Sequence, residues 1–239
     1  MPINQPQAIL LDLDDTIIDY GGSAAAAWAT VAAEAARVVG IDAAALLDEI
    51  HRMRDWFWSD AERHREGRAD LRTAWARIVT EALARFGVTR PDVAGATADA
   101  YRDLRTESIR LFPGSIDALQ RLRGLGLPLG MVTNGTSADQ RAKIERFGLA
   151  PYFEHILIEG EFGCGKPDGR VYRAAVAALG SAPRQTWFVG DNLEWDVAAP
   201  QREGLYGVWV DREQRGLRAD APAQPQRIIH ALPALPELL

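Results

Sequence analysis

The segment Ala8-Ile-Leu-Leu-Asp-Leu13 is apolar at nearly every position and runs into a carboxylate cluster, Asp12-Leu-Asp14-Asp15-Thr16. A strand without polar alternation is buried on both faces, as central strands of parallel sheets are. Such a strand needs parallel neighbours, and none follows soon. Gly21-Gly22 punctuates the chain, and from Ser23 to about Thr106 the pattern is helical with no convincing strand. Ser23 is placed to cap a helix ending near Val39-Gly40. Asp42 is placed to cap a second, which carries Leu46, Leu47, Ile50, Met53 and Phe57. Asp70 is placed to cap a third, whose Leu71, Trp75, Ile78, Val79, Ala82, Leu83 and Phe86 recur at three and four residues before Gly87. Pro91 suits the first turn of a fourth.

The missing neighbours come after Pro113-Gly114. Helices are expected over Ser115–Arg123, Ala138–Phe147, Val171–Leu179 and Glu194–Glu203. Strands are expected over Leu127–Val132, His155–Ile158, Thr186–Val189 and Gly207–Val210. Strands alternating with helices of about ten residues imply right-handed crossovers and a parallel sheet. The fold class is therefore α/β: a Rossmann-like, doubly wound parallel sheet core formed by residues 1–19 and 107–239, with an α-helical domain inserted at 20–106. Two chain crossings make the insertion a hinged lid over the sheet by expectation. At 239 residues the chain would bury roughly 70% of its unfolded surface, enough for a sizeable core. Ala219–Gln226, rich in Ala, Pro and Gln, reads as a surface loop.

Composition narrows the partners. A formal charge of −6 disfavours nucleic acid and anionic membrane surfaces. The single cysteine, Cys164, excludes an internal disulfide framework and a cysteine-rich zinc site, and it reads as structural. Met1–Gln7 lacks a signal-peptide pattern and Ala8–Leu13 is too short to span a bilayer, so a cytoplasmic location is expected.

Open parallel sheets bind ligands at the carboxyl ends of their strands. Four loops expected at that edge hold reactive residues: Asp12 and Asp14; Thr133-Asn134-Gly135; Gly165-Lys166-Pro167-Asp168; and Gly190-Asp191-Asn192, with Glu194 and Asp196 close behind. Converging carboxylates repel, and a cation makes the cluster tolerable. Few, hard oxygen ligands point to Mg²⁺, which shares its shell with water and phosphate. Backbone N–H groups at Leu13–Asp14 and Asn134–Gly135 are placed to cradle phosphate oxygens. Carboxylates, a divalent ion and a lysine fit phosphoryl transfer.

These four ordered motifs resemble those of the haloacid dehalogenase superfamily, and the 23–106 insertion is similar to the helical cap of the subfamily that inserts between motifs one and two. The resemblance implies that Asp12 is the nucleophile, forming an aspartyl-phosphate, and that Asp14 is the general acid and base. It implies that Thr133 hydrogen-bonds the phosphoryl group, with Asn134 beside it in contact with substrate, and that Lys166 offsets charge. Asp12, the Asp14 carbonyl and Asp191 would hold Mg²⁺, with Asp196 orienting water or Lys166 from behind. True dehalogenases of this fold lack the second aspartate and use no metal, so Asp14 and Asp191 favour a phosphatase acting on a small phosphorylated metabolite. The rivals are that metal-independent dehalogenase and a non-enzymatic phosphoacceptor or binding domain. Receivers, which resemble the latter, are about half this length and place their acceptor on a central strand after an acidic pair.

Within the insertion, residues 51–68 combine three aromatics with several basic groups. One reading is packing by Phe57 and one tryptophan above a solvated basic loop. The other has this loop select the leaving group through Trp58, Arg63, His64 and Arg68. Trp28 and Trp75 are expected in the helical core, Trp187 and Trp209 in sheet packing, and Trp195 facing either site or core. The Asp14-Asp15-Thr16 and Gly190-Asp-Asn-Leu-Glu variants look most like the branch containing nucleoside 5′-monophosphate and N-acylneuraminate 9-phosphate phosphatases; phosphoglycolate and sugar phosphates remain alternatives.

Overall fold

β1 (Ala8–Leu11) is buried at all four positions, as an apolar run with no alternation requires. The structure, a computed structural model, describes residues 5–22 and 24–239. Ser23, the expected cap of the first helix, lies outside the described residues, as do residues 1–4. The chain divides into two compact units, one of residues up to Asp19 with Arg110–Leu239, the other Tyr20–Ile109. Past β1 the chain turns tightly: the N–H groups of Ile17 and Ile18 both donate to the Leu13 carbonyl, and Asp15 adopts φ 60°. Aspartate tolerates that left-handed conformation better than most residues. β2 (Ile18–Asp19) leads out of this unit.

Among the described residues, every element of the Tyr20–Ile109 unit is a helix. The unit consists of α1 (Ala24–Val39), α2 (Ala43–Ser59), α3 (Ala61–Ala69), α4 (Leu71–Ala84) and α5 (Pro91–Ser108). Asp42, Asp60 and Asp70 cap α2, α3 and α4, each accepting a backbone N–H from three residues on. Helix α3 corrects the sequence reading, both alternatives of which make these residues a loop. Its AERHREGRA sequence has good helix formers but no apolar stripe, so only the Asp60 cap signals it. Trp28, Leu46, Ile50, Phe57, Trp75, Ile78, Leu83 and Tyr101 form one buried cluster. At its centre Trp28 stacks on Tyr101 with 3.8 Å between centroids, and Trp75 meets the same ring edge-on at 5.0 Å.

β3 (Arg110–Leu111) pairs antiparallel with β2. The rest alternates: α6 (Ser115–Gly124), β4 (Leu129–Thr133), α7 (Ser137–Arg146), β5 (His155–Ile158), the short α8 (Glu159–Phe162), α9 (Gly169–Ala178) and β6 (Thr186–Gly190). A widened helical turn over Leu193–Ala198 runs into α10 (Ala199–Arg202), followed by β7 (Tyr206–Val210) and β8 (Arg227–Ile229). The six-stranded sheet has the order β5-β4-β1-β6-β7-β8, and every pairing is parallel. The chain winds from β1 outward through β4 and β5, then returns to β6 on the other side. The winding therefore reverses at β1, where open sheets leave a ligand crevice. Trp187 packs face to face with Tyr206 at 4.7 Å. β2, β3 and β8 are too short to show an alternating pattern and carry no strand signal in the sequence.

Trp28→Ala tests the core of the helical unit. Removing a buried indole stacked at 3.8 Å is expected to cost about 3–5 kcal/mol, read as a lower denaturant midpoint. A loss under about 1 kcal/mol would contradict this packing.

Candidate active site

Three strand ends and the segment after α8 deliver the polar residues. β1 hands over to Asp12, whose N–H continues the ladder to the Val189 carbonyl at 3.0 Å. β4 ends in Thr133 and β6 in Gly190, and the segment after α8 carries Lys166. At the centre Lys166 Nζ lies 2.7 Å from Asp12 Oδ1 and 2.7 Å from Asp196 Oδ1. All three side chains are buried, Asp196 completely. Buried charges are tolerated only when paired and hydrogen-bonded, so this triad must be held in place.

The surrounding main chain does that. Asn134 clamps Lys166 on both sides: its Oδ1 accepts the Lys166 N–H at 2.7 Å and its Nδ2 donates to the Lys166 carbonyl at 2.8 Å. Gly165 permits the approach, since a Cβ there would fall 2.5 Å from Asn134 Oδ1. Asn134 was expected against substrate; its amide is instead committed to Lys166. Asp196 Oδ2 accepts the Asn192 N–H at 3.0 Å, while Asn192 Oδ1 caps the widened turn through the N–H groups of Glu194 and Trp195. Turns of that type recur at functional sites. A Cβ on Gly190 would lie 2.4 Å from the Asp196 carboxylate, so the strand end must be glycine. The Trp195 carbonyl accepts from the Tyr172 hydroxyl at 2.6 Å, fixing the same turn from beneath.

Among the described residues, Asp12, Asp191 and Asp196 bring carboxylate oxygens within 4.8 Å of one another. Burial, more than Asp196 and Asp14 nearby, pushes Asp12 up to about 7 against the pull of Lys166. Burial, then repulsion from Asp196, Asp12 and Asp15, pushes Asp191 up to about 9. Burial alone would lower the lysine; Asp12 and Asp196 outweigh it, and Lys166 is held above its ordinary value. The lysine thus stays charged but cannot serve three carboxylates, and the deficit falls on Asp12 and Asp191. Hard oxygen donors short of positive charge fit a divalent ion such as Mg²⁺. Asp196 has both oxygens committed to Lys166 and Asn192, which leaves Asp12 and Asp191 as the carboxylates that could hold it.

Around Asp14 the structure adds residues that the sequence reading missed. Lys143 Nζ lies 2.9 Å from both Asp14 oxygens, and Gln140 Nε2 donates to Asp14 Oδ2 at 3.1 Å and to Thr133 Oγ1. Both sit on α7, where polar residues at a spacing of three read as solvated surface. Glu159 is a correction. Its Oε2 accepts the Gly135 N–H at 3.0 Å, so that group is not open for the phosphate cradle expected of it.

The insertion residues lie in the other unit. Arg63 donates to the carbonyls of Trp56 and Phe57 and stacks over the Trp56 ring at 4.1 Å, which makes it an internal brace. Trp58 packs edge-on to Phe57 and His64, and Arg68 closes the last turn of α3.

The raised carboxyls fix a sign. Folding holds protons on Asp12 and Asp191 that the unfolded chain, with carboxyls near 3.8, releases. Their contribution is therefore fully present below about pH 4 and is lost as pH rises through about 7 and about 9. In EDTA, Asp191→Asn is expected to raise Tm at pH 8.5 relative to the parent and to have little effect at pH 5. A lower Tm for the variant at pH 8.5 would contradict the charge deficit.

A sequence model of the haloacid dehalogenase-like hydrolases matches residues 6–204. A phosphoserine phosphatase of Thermus thermophilus is 35% identical, with 90% of this chain and 91% of that protein covered. A ribulose-1,5-bisphosphate 5-phosphatase of Halopiger xanaduensis is 30% identical, with 97% of each covered. Among solved structures, a HAD-hydrolase from Bacillus subtilis bound to magnesium superposes with a TM-score of 0.74 at 23% identity, covering 98% of this chain and 99% of that one. The L-2-haloacid dehalogenase of Xanthobacter autotrophicus gives 0.65 at 18%, with 98% of each covered. At those identities the two structures speak for the fold alone. With motifs, sheet order and family match in agreement, the chain belongs to the haloacid dehalogenase-like hydrolases.

Proposed function

We propose that the protein is a Mg²⁺-dependent phosphatase that hydrolyses a small phosphomonoester through an aspartyl-phosphate on Asp12. The observation that carries this reading is the buried Asp12 carboxylate, fixed by Lys166 at 2.7 Å in a cluster still short of positive charge. That is a nucleophile prepared for an electron-poor phosphorus.

An Asp12 oxygen attacks phosphorus, the ester P–O bond breaks, and the leaving alkoxide takes a proton from Asp14. Water then attacks the same phosphorus and gives its proton to the Asp14 carboxylate. The acyl P–O bond breaks, releasing phosphate and restoring Asp12. Thr133 donates its hydroxyl to a phosphoryl oxygen, and Lys166 holds Asp12 in line while offsetting the charge that gathers there. Asp12, Asp191 and the Asp14 carbonyl would hold Mg²⁺. When bound, the ion supplies the charge that lets an anionic nucleophile meet an anionic substrate.

The names of the two relatives support a phosphorylated small metabolite as substrate. A cytoplasmic location is part of this proposal; no helix among the described residues is long and apolar enough to cross a membrane. Dehalogenase neighbours share the fold, but a metal-free halide displacement has no use for the carboxyls of Asp14 and Asp191. The assignment of Trp58, His64 and Arg68 to the leaving group rests on the sequence pattern of residues 51–68 alone, with Arg63 as a brace within the insertion.

Asp12→Asn is expected to abolish Mg²⁺-dependent p-nitrophenyl phosphate turnover by a factor on the order of 10³ or more, and EDTA to silence the parent reversibly. Activity retained by the variant, or in EDTA, would overturn the reading. On a panel including phosphoserine and ribulose 1,5-bisphosphate, Arg68→Ala is expected to lower kcat/KM for the best ester about tenfold, the worth of one charged hydrogen bond. Arg63→Ala is expected to lower Tm instead. An unchanged kcat/KM for Arg68→Ala would remove the insertion from substrate selection.

A further inference from the structure

The reach of α7 into the site is not part of the motif chemistry. Gln140 is almost wholly buried on a helix whose other side chains are mostly polar and exposed. Its Oε1 accepts from Lys143 Nζ at 2.8 Å, which fixes which end of the amide faces the site. The Nε2 end then donates to Thr133 Oγ1 and to Asp14 Oδ2. A hydroxyl that accepts from an amide keeps its own proton for another acceptor. The amide thus makes Thr133 a donor, the polarity that a phosphoryl oxygen requires. Lys143 also grips both oxygens of Asp14 at 2.9 Å, so one helix turn sets the direction of the carboxylate as well.

We propose that Gln140 and Lys143 are positioning residues of the phosphoryl-transfer site. Lys143 orients Asp14 for proton transfer, and Gln140, itself oriented by Lys143, links Asp14 to Thr133 so that proton donor and phosphoryl donor are placed together. Neither residue is assigned a contact with the ester; both act through Asp14 and Thr133. The inference rests on the phosphatase reading above and extends it.

The two roles separate by leaving group. An alkoxide leaves only with a proton from Asp14, whereas p-nitrophenolate leaves without one. The first irreversible step is read by kcat/KM, so the comparison is the ratio of kcat/KM for the best alkyl ester of the panel to that for p-nitrophenyl phosphate. This ratio does not depend on how much of a variant is folded. Asp14→Asn sets the reference, a fall on the order of 10². Lys143→Met is expected to lower the ratio about 30-fold, Lys143→Arg to recover most of it, and Lys143→Met added to Asp14→Asn to lower it no further. Gln140→Leu is expected to lower kcat/KM for both esters, because it also releases Thr133. An unchanged ratio in Lys143→Met, or a further fall in the double variant, overturns the role of Lys143; an undisturbed aryl ester in Gln140→Leu overturns that of Gln140. If the parent enzyme with Mg²⁺ hydrolyses no ester of the panel, it is the phosphatase reading that has failed.

Discussion

A single buried ammonium organises this protein. Lys166 sits between Asp12 and Asp196, 2.7 Å from each, where an unpaired charge would cost several kcal/mol. The neighbouring structure follows from keeping it there. Asn134 grips its main chain from the next strand end, Gly165 leaves space for that grip, and Gly190 leaves space for Asp196. The widened turn after β6 presents the Asn192 N–H to the far oxygen of Asp196. Residues distant in sequence depend on one another because each removes part of the same electrostatic penalty.

The same lysine leaves the site unfinished. It can neutralise neither Asp191 nor all of Asp12, and burial holds both carboxyls well above their ordinary range. A divalent cation would remove that penalty and a phosphoryl group would then restore the balance. This resolves the contrast between a chain of net charge −6 and an anionic substrate, since the local charge at the sheet edge decides binding rather than the total.

Much of this is legible in the sequence because Asp12, Thr133 and Asp191 sit where strand periodicity stops, and a strand end in a parallel sheet has one place to go. Lys166, in the segment after α8, has no such signal and is placed only by its order among the motifs. Gln140 and Lys143 are not legible, because a polar pair three residues apart on a helix has the same pattern whether it faces water or a buried carboxylate. Asn134 was assigned to the substrate for the complementary reason: its side chain is spent on a main chain 32 residues away, a contact no local pattern encodes. Helix α3 was missed because it has no apolar face, and β8 because three residues are shorter than any repeat.

The central claim is that Asp12 takes the phosphoryl group covalently. Rapid acid quench of a single turnover with phosphorus-labelled ester, followed by peptide mapping, tests it most directly. The account predicts label on the peptide containing Asp12, released by hydroxylamine as an acyl phosphate is. Full turnover with no protein-bound label at any time, or label on another residue, would contradict it.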